Sequence, residues 1–206
     1  MPPSAVLFID GSNFYHALKK EGRYPFDYDA FFSELSKRFE LKTIYFYDAY
    51  KDIEKDPIGY AGQQRFHSKL EKMKWPIKIK TRKLKYLANI TPEQVDNAAN
   101  EVGIIDACKN KLWALLQYLR LVRLTKEKGI DVLLVVDSIE TARTKQYDAI
   151  LLLSGDADFV PAVHLIKSFG VKVWNVHAYS GSAKELRDSC DGHILIDFDS
   201  DRIILR

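Results

Sequence analysis

Apolar positions along this chain fall into short unbroken runs separated by segments of helical period, and two of the runs end alike. Ala5-Val6-Leu7-Phe8-Ile9 gives way to Asp10-Gly11-Ser12-Asn13, and Ala149-Ile150-Leu151-Leu152-Leu153 gives way to Ser154-Gly155-Asp156-Ala157-Asp158. A run of this length, bounded by turn residues, predicts a strand buried on both faces, as in a parallel sheet. Leu41–Ala49, rich in aromatic and branched residues, predicts another strand, and Val171–Val176 and His193–Asp197 two more. Pro76–Arg82 alternates apolar with basic residues and reads as an edge strand with one wet face.

Helical spacing fills the intervals. Ser12 is a candidate cap for a helix after the first strand, and Asp27 or Asp29 for one carrying Phe31, Phe32, Leu35 and Phe39. A polar helix runs from Pro57 and Gly59 to about Met73. Thr91-Pro92-Glu93-Gln94 has the form of a capping box, and Leu112, Leu115, Leu116, Leu119 and Val122 form an apolar helical stripe. Val132–Val136 fits a strand or a helix; an acid at Asp131, favoured by a helix dipole, decides for a helix to Arg143. Further helices are predicted from Val160 to Gly170 and from Ser182 to near Cys190. Strands alternating with helices give an α/β chain: a mostly parallel central sheet with helices on both faces.

Size and composition narrow this further. The 206 residues suffice for a single domain over 1–206 with one helical insertion at about 86–127, and 47% apolar content marks a globular chain. Cys108 and Cys190 have no metal-type spacing, which points to free thiols and a cytoplasmic protein. Asp10 interrupts the first apolar run too early for a signal peptide, and no apolar stretch reaches membrane-spanning length. No Ser-His-Asp or P-loop pattern is present, and the histidines lack metal-ligand spacing. Asp197-Phe198-Asp199-Ser200-Asp201 opens like a calcium loop but has Arg202 where the glycine belongs, so a solvated tail is expected.

The two acidic turns carry the chemistry. Open α/β sheets place their sites beyond the carboxyl ends of strands. If the two strands lie side by side, Asp10 and Asp156 meet at one rim, where like charges repel unless a proton or a cation intervenes. Mg²⁺ or Mn²⁺, hard cations that take carboxylate oxygens, would suit. Asp131 or Asp137 could supply a third side, and Asp158 is either a ligand or the cap of the helix it opens. Ser12, Asn13 and Ser154 are neutral hydrogen-bonders suited to placing a phosphate. As plain turn or cap residues, all of these have ordinary structural explanations too. The net charge of +3 says little alone, but the positives cluster. Lys69, Lys72, Lys74, Lys78, Lys80, Arg82, Lys83 and Lys85 form one run, edged by Trp75 and Tyr86; Arg120, Arg123, Lys126 and Lys128 form another. Such residues can hold phosphates and stack single-stranded bases, or merely form solvated faces.

Phe8-Ile9-Asp10-Gly11-Ser12-Asn13, Lys128-Gly129-Ile130-Asp131-Val132, Val136-Asp137 and Leu153-Ser154-Gly155-Asp156-Ala157-Asp158-Phe159 resemble, in this order, the motifs of the NYN domain, including its LabA-like group. The resemblance runs from residue 5 to about 197. It implies a Rossmann-like, PIN-like three-layer fold and a metal-dependent ribonuclease, an endoribonuclease, with Mg²⁺ or Mn²⁺ as cofactor. Under it, Asp10, Asp131, Asp156 and Asn13 are the implied catalytic residues, and Asp10, Asp131, Asp137, Asp156 and Asp158 the implied metal ligands. Ser12, Ser154, Lys80 and Arg82 would position a single-stranded RNA. A homo-oligomer is compatible with the sequence. A non-catalytic RNA-binding module with a retained acidic site is the competing reading, and a phosphatase of small phosphoesters a third.

Overall fold

In the computed structural model, which describes residues 1–54, 56–83, 92–118, 129–200 and 202–206, the chain divides into two compact units. One comprises Met1–Arg82 and Gly129–Arg206, the other Lys83–Lys128.

The first unit is built on a seven-stranded sheet of order β3-β2-β1-β4-β5-β6-β7. Its strands are β1 (Ser4–Asp10), β2 (Glu40–Tyr50), β3 (Ile77–Lys83), β4 (Ala149–Leu153), β5 (Lys172–His177), β6 (Gly192–Asp199) and β7 (Arg202–Leu205). The pairs β1–β2, β1–β4, β4–β5 and β5–β6 are parallel, and β6–β7 is antiparallel. The two apolar runs with acidic ends are therefore central neighbours, with Ile9 opposite Leu153. Every side chain of β4 is buried, because both faces of the strand are covered.

Alternation sends the two sets of β1 side chains to opposite faces. Ala5, Leu7 and Ile9 pack with α1 (Gly11–Lys20), α2 (Tyr28–Leu35) and α3 (Pro57–Glu71). Val6 and Phe8 pack with α6 (Ile130–Arg143), α7 (Val160–Ser168) and α8 (Lys184–Ser189). The first face is aromatic: Phe31, fully buried, lies 5.4 Å from Phe32, 5.7 Å from Phe26 and 6.4 Å from Phe14 between ring centroids. These are the three layers expected from the sequence.

The second unit contains α4 (Pro92–Glu101) and α5 (Asp106–Tyr118), which contact each other. Gly103, at φ +75°, lets the chain turn between them. Of the predicted stripe, Leu112 and Leu116 are half-buried and Leu115 is 51% exposed. Leu119, Val122, Thr91, Lys85, Tyr86 and the run from Arg120 to Lys128 lie outside the described residues.

Three local expectations are corrected. The chain turns from β1 into α1 with no intervening loop, so Asp10, the last strand residue, is itself the cap and Ser12 lies inside the first turn. Phe39 lies beyond α2, immediately before β2. The expected solvated tail instead forms the end of β6 and then β7, with Asp199 paired to Arg202 and Ser200 in the left-handed region at φ +57°.

Phe31→Ala should cost about 3–5 kcal/mol, as for other buried aromatic truncations. Chemical denaturation would register this as a lower midpoint with an unchanged slope.

Candidate functional site

The site forms where β1 and β4 stop at the same level. One residue past the Ile9–Leu153 pair stand Asp10 and Ser154, and the Ser154 hydroxyl donates to Asp10 Oδ2 at 3.0 Å. Asp10 Oδ1 accepts from the Asn13 backbone N–H at 3.1 Å. The Asn13 side chain reaches back across the rim, its Oδ1 accepting from Gly155 N–H at 2.9 Å. In the β4 turn, Asp156 N–H donates to Ser154 Oγ at 3.2 Å, and Asp156 Oδ1 accepts from Asp158 N–H at 2.9 Å. Asp156, not Asp158, thus caps the 3₁₀ turn Ala157–Phe159 that leads into α7. Two turns remote in sequence are tied into one hydrogen-bonded patch.

Two further contacts hold the β4 turn. Asn175, fully buried on β5, donates through Nδ2 to the carbonyls of Leu152 at 3.0 Å and Ser154 at 2.9 Å. A polar residue inside an apolar strand is the available sequence signal for it, and the expected site did not include it. On the other side, a Cβ on Gly155 would stand 1.8 Å from the carbonyl oxygen of Gly181, in the loop after β5. Gly155 is thus required by the close approach of a backbone.

Burial and neighbouring charge shape the acids. Asp10 is 6% exposed, and burial, reinforced by the charges of Asp131 and Asp156, pushes its carboxyl up to about 6 against the two hydrogen bonds that favour its ionised form. Asp131, in the first turn of α6, is likewise raised by burial and by Asp156 and Asp158. Asp10, Asp131, Asp156 and Asp158 therefore share one field. Among the described residues no lysine or arginine forms an ion pair with any of them. Helix N-termini at Asp10, Asp131 and Asp156 supply the compensation visible here.

Asp137 stands apart. Six residues farther along α6, its Oδ2 accepts from Tyr47 OH at 2.8 Å and lies 3.7 Å from Lys80 Nζ. The acid lifts the Tyr47 phenol well above its ordinary value, after burial. Lys80 and Lys78 also lie over the Tyr45 ring, each 5.7 Å from its centroid. Arg82 is exposed, with Nη1 3.3 Å from where a Cβ on Gly129 would stand, next to the start of α6. Ser12 is half-buried in α1. Trp75, a candidate for stacking, is pinned: its indole donates to Asp29 Oδ1 at 2.6 Å and its ring packs on Phe32.

Among the described residues no three of His, Cys, Asp or Glu close round a point as a ready-made metal cage. Mg²⁺ does not need one: it binds through one or two carboxylates and keeps several waters. The donor chemistry fits such a cation, since carboxylates gather here with no basic ion-pair partner among the described residues, and burial with neighbouring acids raises the proton affinity of Asp10 and Asp131. Asp10, Asp131 and Asp156, with Asp158 beside them, are the residues that could hold it.

Comparisons with known proteins bear on the family and the fold. The family model of the NYN domain matches residues 4–197. The low amplitude and bright protein LabA of Synechococcus elongatus is 25% identical over 195 residues, 94% of this chain and 83% of that protein. An uncharacterized protein of Sinorhizobium fredii is 38% identical over 69 residues, 32% of each chain. A crystal structure of a Vibrio parahaemolyticus protein of unknown function superposes with a TM-score of 0.63 at 21% identity, covering 98% of this chain and 97% of that one, and shows the same fold.

Because Asp10 takes up a proton at about 6 when folded and at 3.8 ordinarily, the metal-free fold loses stability as pH rises through that window. Asp10→Asn removes the loss while keeping an acceptor for Asn13 N–H. It should raise the stability of the chelator-treated protein at pH 7 by about 2–3 kcal/mol, and change little near pH 4. Thermal melts across pH check this. Gly155→Ala should instead lower Tm at every pH, because the clash is with backbone.

Proposed function

Because the chain belongs to the NYN domain family, a PIN-like and nuclease-related family, we propose that it is a divalent-metal-dependent endoribonuclease acting on single-stranded RNA. The observation that carries the reading is the convergence of Asp10, Asp131 and Asp156 on one rim, where burial and neighbouring acids raise the proton affinity of Asp10 and Asp131 and none of the three has a basic ion-pair partner among the described residues. A bound Mg²⁺ or Mn²⁺ would supply Lewis-acid polarisation of a phosphoryl oxygen there.

The chain's own residues account for the rest. Ser154 and Asn13 N–H hold the Asp10 carboxylate in one orientation, and Asp156 is fixed by its own turn. Asp131 is more exposed than these two, so its carboxylate would be the one to accept a proton from an attacking water. Water would attack phosphorus in line, its proton passing to Asp131, while the bond to the leaving ribose oxygen breaks and that oxygen takes a proton from solvent. Lys78, Lys80 and Arg82 would hold backbone phosphates, with Lys80 balanced between Asp137 and substrate. Among the described residues no helix is long and apolar enough to cross a membrane. Work on RNA in the cytoplasm, by a monomer or a homo-oligomer, fits this reading.

A second reading has one observation in its favour: no three-ligand cage forms among the described residues. Under it the chain binds RNA and does not cut it.

Labelled single-stranded RNA with Mn²⁺ separates the two. Cleavage should fall about a hundredfold or more in the Asp10→Asn Asp156→Asn double variant. Equal cleavage by both proteins removes the nuclease reading. Tight RNA binding with no cleavage under any divalent ion establishes the second. Lys80→Ala should raise KM more than it lowers kcat, since it removes a phosphate contact and leaves the acids in place.

A further inference from the structure

The first unit has a cavity at the end of the sheet opposite the acids. It lies at the amino ends of the strands: Pro3 precedes β1, Ala149 opens β4, Lys172 opens β5, and all three line it. The length of β4, at about 3.3 Å per residue, puts it roughly 15 Å from the acidic rim. Its volume of about 700 Å³ lies within the range of small-ligand sites.

The lining has two kinds of surface. Four aromatic side chains contribute: Phe39, Tyr147, Phe169 and Trp174. Phe39 and Trp174 meet edge to face at 5.7 Å between centroids, so the Trp174 ring is held in place while remaining only partly buried. Three cations stand with them: Arg38, Lys145 and Lys172. The Arg38 guanidinium is already anchored, donating to the Leu205 carbonyl at 2.5 Å. Among the described residues neither lysine forms an ion pair. The one acid in the lining, Asp148, is occupied: its Oδ2 accepts from both the backbone N–H and the hydroxyl of Ser4 at 2.7 Å, and these bonds hold its carboxyl below its ordinary value.

We infer that this cavity is a second binding site, for a small anionic ligand with a flat ring: a mononucleotide, its phosphate on Lys145 and Lys172 and its base against the partly buried ring of Trp174. Flat rings stack on aromatic faces, and lysine ammonium groups take phosphate as point charges. Charge and shape both select the class. An uncharged aromatic would make no use of the two lysines, and a bare phosphate none of Trp174. The site does not depend on the nuclease reading, since it shares no residue with the acidic rim.

Tryptophan fluorescence and thermal melts, with adenosine monophosphate, ribose 5-phosphate and inorganic phosphate as probes in excess chelator, test this. Chelation removes any metal-bridged binding at the acids. The mononucleotide should perturb fluorescence and raise Tm by mass action. In Lys145→Glu Lys172→Glu its affinity should drop about tenfold or more, the two charges now repelling phosphate. Both substituted positions are exposed, and circular dichroism confirms that the variant folds. Trp174→Phe should keep the Tm rise and lose most of the fluorescence response. Asp10→Asn Asp156→Asn should bind the mononucleotide like the parent. No binding, undiminished binding in the lysine variant, an equal response to inorganic phosphate alone, or loss in the aspartate variant would each overturn the assignment.

Discussion

The parallel pairing of β1 with β4 is the constraint on which the rest depends. Ile9 faces Leu153, so the chain leaves both strands at one height, and the first residues past the sheet are a carboxylate and a hydroxyl within hydrogen-bonding distance. Neither strand can slip: one step of register would turn Leu7 and Ile9 out of the aromatic layer and Phe8 out of the opposite one. The precision with which Asp10 meets the β4 turn is thus inherited from hydrophobic burial on two faces. The acids themselves oppose it. They are held together by a core that would be more comfortable without them, which is the usual relation between a polar site and the scaffold beneath it.

Much of this was legible in the amino-acid sequence, for identifiable reasons. Asp10 and Asp156 follow apolar runs whose length and bounds suit buried parallel strands, and adjacency of those strands brings the rest. The helix from Ile130 to Arg143 was legible through Asp131, since an acid is favoured at that end. Asp137 was not separable from Asp131 by spacing. Six residues along a helix turn a side chain well away from the first, toward Tyr47 and Lys80. Asn175 was hidden for another reason: its task is to hold backbone carbonyls of a neighbouring strand, and no local pattern encodes a partner more than twenty residues away. The last strand was missed because Asp199-Ser200-Asp201 resembles a polar ending, although the same residues are good turn formers before the apolar run Ile203-Ile204-Leu205.

The two ends of the sheet carry opposite surfaces. Among the described residues, carboxylates crowd at the carboxyl ends without basic ion-pair partners, and two lysines at the amino ends stand without ion pairs. Strand direction explains why they do not neutralise each other. In a parallel sheet every crossover carries the chain back along the same axis, so like loops gather at like ends. The basic edge strand β3 lies on neither end but along one side, where Lys80 reaches Asp137 and Arg82 approaches the start of α6.

The abutment of Gly155 on Gly181 has a consequence for anyone who would move this machinery. Because neither turn has its shape without the other, the Ser-Gly-Asp-x-Asp segment is not a portable cassette. Grafted onto a foreign strand it would lack the wall against which it is moulded, and its aspartates would point at random. A successful transplant would have to carry the loop after β5 along with it, and Asn175 too, so the smallest unit that could be borrowed is three strands wide.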